Sequence, residues 1–397
     1  MKEILITSFD MSIGGVERSL INMLDSLDYD KYSIDLKLYR NEGDLFSLIN
    51  PNVNILKETK ACKTFGTPLS EIIKNGEYGL ASARILAKII SLTISKLKNI
   101  KEIGYYQGQL ANHLSKRYIE YIDKEYDVAI SYVWTHDLVA YKVKAKTKIA
   151  WIHTDYSTIY INRKLDLKVW SKFDYIVSIS KECTDAFLKI YPTLKDRIIL
   201  VENIRNPKFI EFMSKQDIED MPNDNNIKLL TVGRLCHQKA IDNAIKAMKI
   251  LKDKGIYNIK WYVIGYGPDE EMLKNLIKEN NLEDSFILLG KKSNPYPYMK
   301  KCDIYIQPSR YEGKAVTVLE AQMLGKPVLI TNYPTAKSQL RHNIDGYITD
   351  LSIDGIVSGI EKLISDEDFR NILEKNTREF DYSNIEEIEK LYKIIEE

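Results

Sequence analysis

The sequence predicts an α/β protein built from two parallel-sheet domains, and three observations point there. Its 397 residues suffice for two domains of ordinary size, each burying its own core. Short apolar runs at residues 3–7 and Ile227–Val232 are each followed by glycine and then by a helical pattern, the order of strand, turn and helix. Between the halves, residues 203–226 are rich in Asn, Asp and Pro and lack a steady period, which marks a boundary.

Composition narrows the class. The chain is 44% hydrophobic and 28% charged, as soluble globular proteins are. Its 57 basic residues are balanced by 56 acidic ones, a net charge of +1 that argues against a general nucleic-acid binder. Cys62, Cys183, Cys236 and Cys302 are far apart, without the close pairs of zinc sites, and suggest reduced thiols in a cytoplasmic protein. The apolar run at the start is too short for a signal peptide, and no run approaches the roughly 20 apolar residues of a membrane span. The expectation is a protein neither secreted by that route nor membrane-spanning.

Taken in order, residues 3–7 read as a first parallel strand, and Gly14 and Gly15 as a tight turn into a helix near Glu17. Two glycines let backbone approach a ligand closely. The three-glycine dinucleotide fingerprint with its later acid is absent. Asp28 and Asp30, flanking Tyr29, have the spacing of a metal-binding pair. They fall between the first helix and a strand at Tyr32–Leu38, and a turn explains them better.

Residues 79–101 change character. Arg84, Lys88, Lys96, Lys98 and Lys101 are interleaved with isoleucines and leucines, and no acid occurs between Glu77 and Glu102. At helical spacing this is an apolar stripe with basic flanks, suited to an anionic membrane surface. A domain helix with solvated lysines is the alternative. Strands are then expected at residues 127–132 and 148–152, followed by His153, just past a strand end, where open α/β sheets place ligands. A histidine hydrogen-bonded in the crevice is the alternative there. Residues 174–179, a helix from Lys181 and residues 197–201 complete the half.

After Ile227–Val232 come Gly233 and Arg234, with Lys239 at the start of a helix over residues 240–252. Two cations beside a helix start can neutralise a diphosphate. Residues 261–264, the Gly265-Tyr266-Gly267-Pro268 turn and residues 285–288 read as further strand and turn units. Residues 302–308 read as a buried strand, and residues 309–320 as a loop opening into a helix. The first amides of such a helix suit a phosphate or a sugar hydroxyl. Glu312 precedes that helix and Glu320 stands about two turns inside it. On their own they read equally as a capping acid and a solvated helix acid. A strand at residues 327–330 and paired helices to about Phe380 follow. The tail reads as a helix with Ser383 at its N-cap and Glu386 completing a capping box.

Residues 309–320, Gly233-Arg234, Lys239 and Gly14-Gly15-Val16-Glu17-Arg18 together resemble the donor site of family 4 retaining glycosyltransferases of the GT-B fold, bacterial polysaccharide or glycolipid type. The resemblance implies an α/β fold of two Rossmann-like domains facing each other across a cleft. The N-terminal, acceptor-binding domain would span 1–205 with a helical insertion at about 60–120. The nucleotide-sugar domain would span 206–380, and a C-terminal helix over 381–397 would cross back. The activity implied is retaining, metal-independent hexosyl transfer from a nucleoside diphosphate sugar, UDP-sugar favoured, with no further cofactor. The acceptor implied is a glycan or lipid-linked molecule in surface polysaccharide, capsule or glycolipid synthesis. By the same resemblance Glu312, His153, Arg234 and Lys239 are catalytic, and Gly14, Gly15, Arg234, Lys239, Gly313, Lys314, Ala315 and Glu320 hold the donor. The family often has glycine where this chain has Ala240, a departure read as small because alanine suits a helix start. Cytoplasmic location follows, with peripheral contact at the inner membrane face through residues 79–101. A nucleotide-sugar epimerase on the same scaffold and a non-catalytic partner subunit are the competing readings.

Overall fold

The computed structural model describes residues 1–12, 14–100, 103–312 and 315–397, and divides them into two compact units. The first comprises residues 1–205 and 384–397, the second residues 206–383.

The first unit holds a seven-stranded parallel sheet. Its strands are β1 (Lys2–Ser8), β2 (Tyr32–Leu38), β3 (Asn54–Ile55), β4 (Ile122–Ser131), β5 (Val143–Ile152), β6 (Tyr175–Ser178) and β7 (Ile198–Leu200), in the order β3-β2-β1-β4-β5-β6-β7. The apolar centres of β1, β4 and β5 are almost fully buried, as strands covered on both faces must be. β4 and β5 begin earlier than expected, because their first halves carry alternating charge. Lys144 pairs with Glu125 at 3.2 Å and Lys146 with Asp127 at 2.7 Å along the register. Residues 28–31 form a turn, with the Lys31 and Tyr32 amides donating to the Asp28 carbonyl and Lys31 paired to its carboxylate at 3.1 Å.

Between β3 and β4 the chain forms the helices Lys60–Lys63, Leu69–Lys74, Tyr78–Lys98 and Gly104–Ser115. They carry a separate apolar cluster of Cys62, Phe65, Ile72 and Leu80 under Tyr39 and Leu138. The last helix, Glu387–Glu396, belongs to this unit. Lys2 donates to the Ile395 carbonyl at 2.7 Å, Tyr32 to Glu396 at 2.8 Å, and the Asp28 amide to the Tyr392 hydroxyl at 2.9 Å. The capping box expected at Ser383 does not form. The Ser383 amide donates to Asp381 in a local turn, and the helix starts after Glu386 without a side-chain cap. Asn384 instead joins the tail to the strand-side chain, accepting from the Arg205 amide at 2.7 Å and donating to the Asn203 carbonyl at 3.2 Å.

The second unit holds a six-stranded parallel sheet: β8 (Ile227–Val232), β9 (Ile259–Ile264), β10 (Phe286–Gly290), β11 (Ile304–Gln307), β12 (Val328–Thr331) and β13 (Tyr347–Thr349), in the order β10-β9-β8-β11-β12-β13. The helices Ile241–Asp253 and Ile353–Ser365 bury Ala244, Met248, Leu251, Ile356 and Ile360 against Leu229, Trp261 and Leu329 of the sheet. In both units consecutive strands reverse direction of travel across the sheet at the first strand. The loops at the carboxyl ends beside that switch are where such sheets take ligands.

Candidate functional site

In the second unit the loops after β8 and β9 are in backbone contact. The Leu235 amide donates to the Tyr266 carbonyl at 3.0 Å, and the Asp269 amide to the Leu235 carbonyl at 3.1 Å. A Cβ on Gly265 would lie 1.9 Å from the Gly233 carbonyl oxygen, and one on Gly267 2.2 Å from that of Leu235. The glycines of this turn are therefore required by the neighbouring loop.

Past Gly233 and Arg234 the chain makes one tight turn at His237–Lys239, and Ala240 then adopts a left-handed conformation with φ 53°. This corrects the reason given for Ala240: it is the hinge between the turn and the helix Ile241–Asp253, where glycine is at ease and alanine strained by about 1 kcal/mol. The turn points Lys239 at Glu312, whose carboxylate accepts from Lys239 at 2.5 Å. The ion pair is nearly enclosed, with side-chain exposures of 16% for lysine and 5% for glutamate.

Glu312 has three further donors. Ser309 donates to Oε1 at 2.6 Å, Gln307 to Oε1 at 3.1 Å, and Gln238 to Oε2 at 3.1 Å. Gln307 also donates to Ser309 at 2.8 Å and accepts from Tyr305 at 2.9 Å. Tyr305, Gln307 and Ser309 are alternate residues along β11 and its continuation, so one face of a buried strand carries a polar ladder ending at Glu312. The loop is fixed from both sides. Arg310 grips Asp242 with two bonds of 2.9 and 2.7 Å, and Thr335 donates to the Glu312 carbonyl at 2.9 Å.

The remaining predicted residues of this unit are placed as follows. Arg234 is exposed and forms no ion pair among the described residues. Glu320 is buried on the helix Val316–Met323 and accepts from the Tyr296 hydroxyl at 2.9 Å. The Ala315 amide, expected to face a phosphate, is already donated to Gln339 at 2.9 Å, so an anion there must compete with that side chain. Gly313 and Lys314 lie outside the described residues.

In the first unit Gly14 is the extended residue before the helix Gly15–Ser26, and neither it nor Gly15 has a positive φ. A Cβ on Gly14 would meet the Glu17 carboxylate at 2.0 Å, while Gly15 has nothing within 4 Å of that position. The neighbour at Gly14 is the end of the flexible Glu17 side chain, which can swing aside and whose carboxyl burial pushes up in pKa. Only Gly15 leaves open space.

His153 stands just past β5, its ring 4.7 Å from that of Tyr132 and nearly parallel to Trp151. Both ring nitrogens are buried without a hydrogen-bond partner. Burial pulls its pKa down to about 3, with the nearby Tyr132 backbone acting the other way, so the ring is neutral. The sequence reading missed His136, which follows β4 as His153 follows β5. Its Nδ1 meets the Ser131 hydroxyl at 2.8 Å and its Nε2 has no partner. Burial first, and then the repulsion His136 would meet from His153 were both rings protonated, lower its pKa to about 3 as well. The other residues missed are Tyr305, Gln307 and Ser309. Their signal was polar side chains at every second position of a strand that otherwise reads as core.

Each unit thus gathers its own share of the predicted residues. Gly14, Gly15 and His153 lie in the first, and Arg234, Lys239, Glu312, Ala315 and Glu320 in the second. Among the described residues no group of three or more His, Cys, Asp or Glu side chains is arranged to hold a metal ion. Arg234 is a cation available to an anion, and the enclosed Lys239 and Glu312 pair can re-form around a ligand carrying both phosphate and hydroxyl groups.

Residues 212–380 match the family described as glycosyl transferases group 1. The chain is 32% identical over 233 residues to an uncharacterised glycosyltransferase of Methanocaldococcus jannaschii, covering 56% of this chain and 57% of that protein. It is 29% identical over 253 residues to the capsular polysaccharide biosynthesis glycosyltransferase CapM of Staphylococcus aureus, covering 55% of this chain and 64% of that one. The matches thus span a little over half the length of these curated relatives. Among solved structures, HepE of Anabaena in complex with UDP and glucose superposes with a TM-score of 0.64 at 15% identity, over the whole of both chains. The fold is GT-B, with two Rossmann-like units.

Proposed function

We propose, from the match of residues 212–380 to group 1 glycosyl transferases, that this chain moves a sugar from a UDP-sugar to a glycan or lipid-linked acceptor, with retention at the anomeric carbon. The observation that carries the reading is the Lys239 and Glu312 pair with its Ser309, Gln307 and Gln238 donors, on the same loops as the exposed Arg234. UDP is favoured because HepE was solved with UDP and glucose, and a surface polysaccharide pathway because CapM is named for one.

The donor diphosphate binds Arg234 and draws Lys239 away from Glu312. Glu312, still held by Ser309 and Gln307, then accepts hydrogen bonds from hydroxyls of the transferring sugar. Glu320 accepts from the ribose, and Gly313, Lys314 and Ala315 contribute to binding the diphosphate. As the bond to the sugar breaks, charge builds on the departing diphosphate. Arg234 and Lys239 neutralise it from preset positions, without a metal ion. His153, being neutral, serves as a hydrogen-bond partner of the sugar rather than as a proton donor. Gly15 leaves room near the diphosphate and acceptor, and Gly14 beside it does so once the Glu17 side chain swings away. The enzyme works in the cytoplasm at the inner membrane face, with contact through residues 79–101.

The test is transfer from a panel of UDP-, GDP- and dTDP-sugars, with the product anomer read by proton NMR. Glu312→Gln and Arg234→Ala are each expected to lower transfer about a hundredfold or more, the usual loss of one preset charge-stabilising group. Both variants within about threefold of wild type, or an inverted anomer, would overturn the reading.

A further inference from the structure

The helix Tyr78–Lys98 turns Leu80, Ile90 and Ile94 toward the unit and leaves five further large apolar side chains exposed on its other side. Its inner face buries Leu80, Ala81, Ala83, Ala87 and Ser91, and Ala87, Ile90 and Ile94 pack with Tyr106, Leu110 and Ala111 of the helix Gly104–Ser115. Its outer face bears Ile85 at 41% exposure, Leu86 at 47%, Ile89 at 56%, Leu92 at 47% and Leu97 at 79%. At 3.6 residues per turn Ile85, Ile89, Leu92 and Lys96 fall within a stripe about 60° wide, with Leu86 and Leu97 on one flank and Lys88 on the other. An exposed apolar stripe of this kind marks a surface that is covered in use.

Charge identifies what covers it. No acid occurs between Glu77 and Glu102. Arg84 is turned inward, donating to the Thr64 and Thr67 carbonyls at 2.7 Å, and Lys98 reaches the Tyr160 hydroxyl at 3.1 Å. Lys88 and Lys96 are exposed on the outer face and form no ion pair among the described residues. Lys101 lies outside the described residues. A second copy of this chain would set these lysines against each other with no acid on the face to pair them. No described helix is long and apolar enough to cross a membrane, so the helix can lie on a bilayer but not through it. We propose that this outer face seats the N-terminal unit on a bilayer surface containing anionic phospholipid, with Ile85, Ile89 and Leu92 at the headgroup boundary and Lys88 and Lys96 at lipid phosphates. The inference deepens the membrane contact proposed above and rests on it, but not on sugar transfer.

Flotation of the full chain, with no nucleotide or acceptor present, tests it against vesicles of phosphatidylglycerol mixed with phosphatidylcholine and against phosphatidylcholine alone. Wild type is expected to float with the anionic vesicles and far less with the neutral ones. Lys88→Glu with Lys96→Glu is expected to weaken partitioning about twentyfold or more, since each lysine near an anionic surface contributes about fivefold. Ile89→Ser with Leu92→Ser, at two positions that are about half exposed, is expected to weaken it about tenfold while the thermal midpoint falls by only a few degrees. Three results would overturn the proposal: wild type left unbound by both vesicles, both variants floating like wild type, or a wild-type dimer in sedimentation velocity that the serine variant dissolves. Transfer to a water-soluble acceptor should be unchanged in both variants. Its loss together with binding would show the helix acting in the reaction site, and the docking role would fail.

Discussion

Breaking the Lys239 and Glu312 pair should cost stability unequally from its two ends. Lys239→Met keeps the length of the side chain but leaves a carboxylate at 5% exposure without its cation. An enclosed charge stripped of its partner costs 3–5 kcal/mol when bare. Here Ser309, Gln307 and Gln238 still donate to it, so the loss should be about 2 kcal/mol. Glu312→Gln keeps the shape of the site and leaves a lysine with 16% exposure that can turn to water, for a loss of about 1 kcal/mol. The double variant should lose about 1.5 kcal/mol, half the sum of the singles, because the pair is already gone after either change. Urea unfolding of the four proteins by circular dichroism gives the coupling directly. Additivity within about 0.3 kcal/mol would show that the two groups do not act as a pair, and would refute the reasoning.

Two further outcomes follow from the same geometry. Gly265→Ala should cost about 2 kcal/mol or more, because its Cβ would sit 1.9 Å from the Gly233 carbonyl at φ 157°. Gly15→Ala, with nothing within 4 Å, should change the unfolding midpoint little yet slow transfer; thermal scans with transfer assays check both, and equal midpoints for the two variants would contradict the account. Acid should weaken the fold through His136 and His153. The unfolded chain takes up their protons below about pH 6.5, whereas the folded state refuses them until about 3, so their stabilisation is full above 6.5 and lost as pH falls. From pH 7.5 to 5 each should cost about 2 kcal/mol. Asp137, pushed up to about 6 by burial despite Lys116, opposes this over the same range by about 1 kcal/mol. Urea midpoints against pH measure the slope, and a slope unchanged by His136→Asn with His153→Asn would contradict the assignment.

The apolar strands were legible because burial on both faces leaves little else they could be. Tyr32–Leu38 and Ile227–Val232 stand where the sequence put them. The charged first halves of β4 and β5 were not legible, since their lysines and acids are matched across strands rather than along the chain. Ala240 was misjudged because composition does not reveal a left-handed backbone. In the site, Glu312 and Lys239 were found as separate residues, but their pairing spans 73 positions and appears only once β8 and β11 lie side by side. The basic, apolar pattern of residues 79–101 was plain. Which face turned outward depended on Leu80, Ile90, Ile94, the alanines and a serine packing inward, and that is a tertiary fact.

Thermal unfolding with and without UDP, in wild type and in Arg234→Ala, tests the donor site most directly. Arg234 is exposed and forms no ion pair among the described residues, so its loss should leave the unliganded midpoint in place. A ligand at a hundred times its dissociation constant stabilises the folded state by about 2.7 kcal/mol. UDP is expected to raise the wild-type midpoint, and Arg234→Ala to remove most of the rise. No rise with UDP, or an equal rise in the variant, would contradict the donor site.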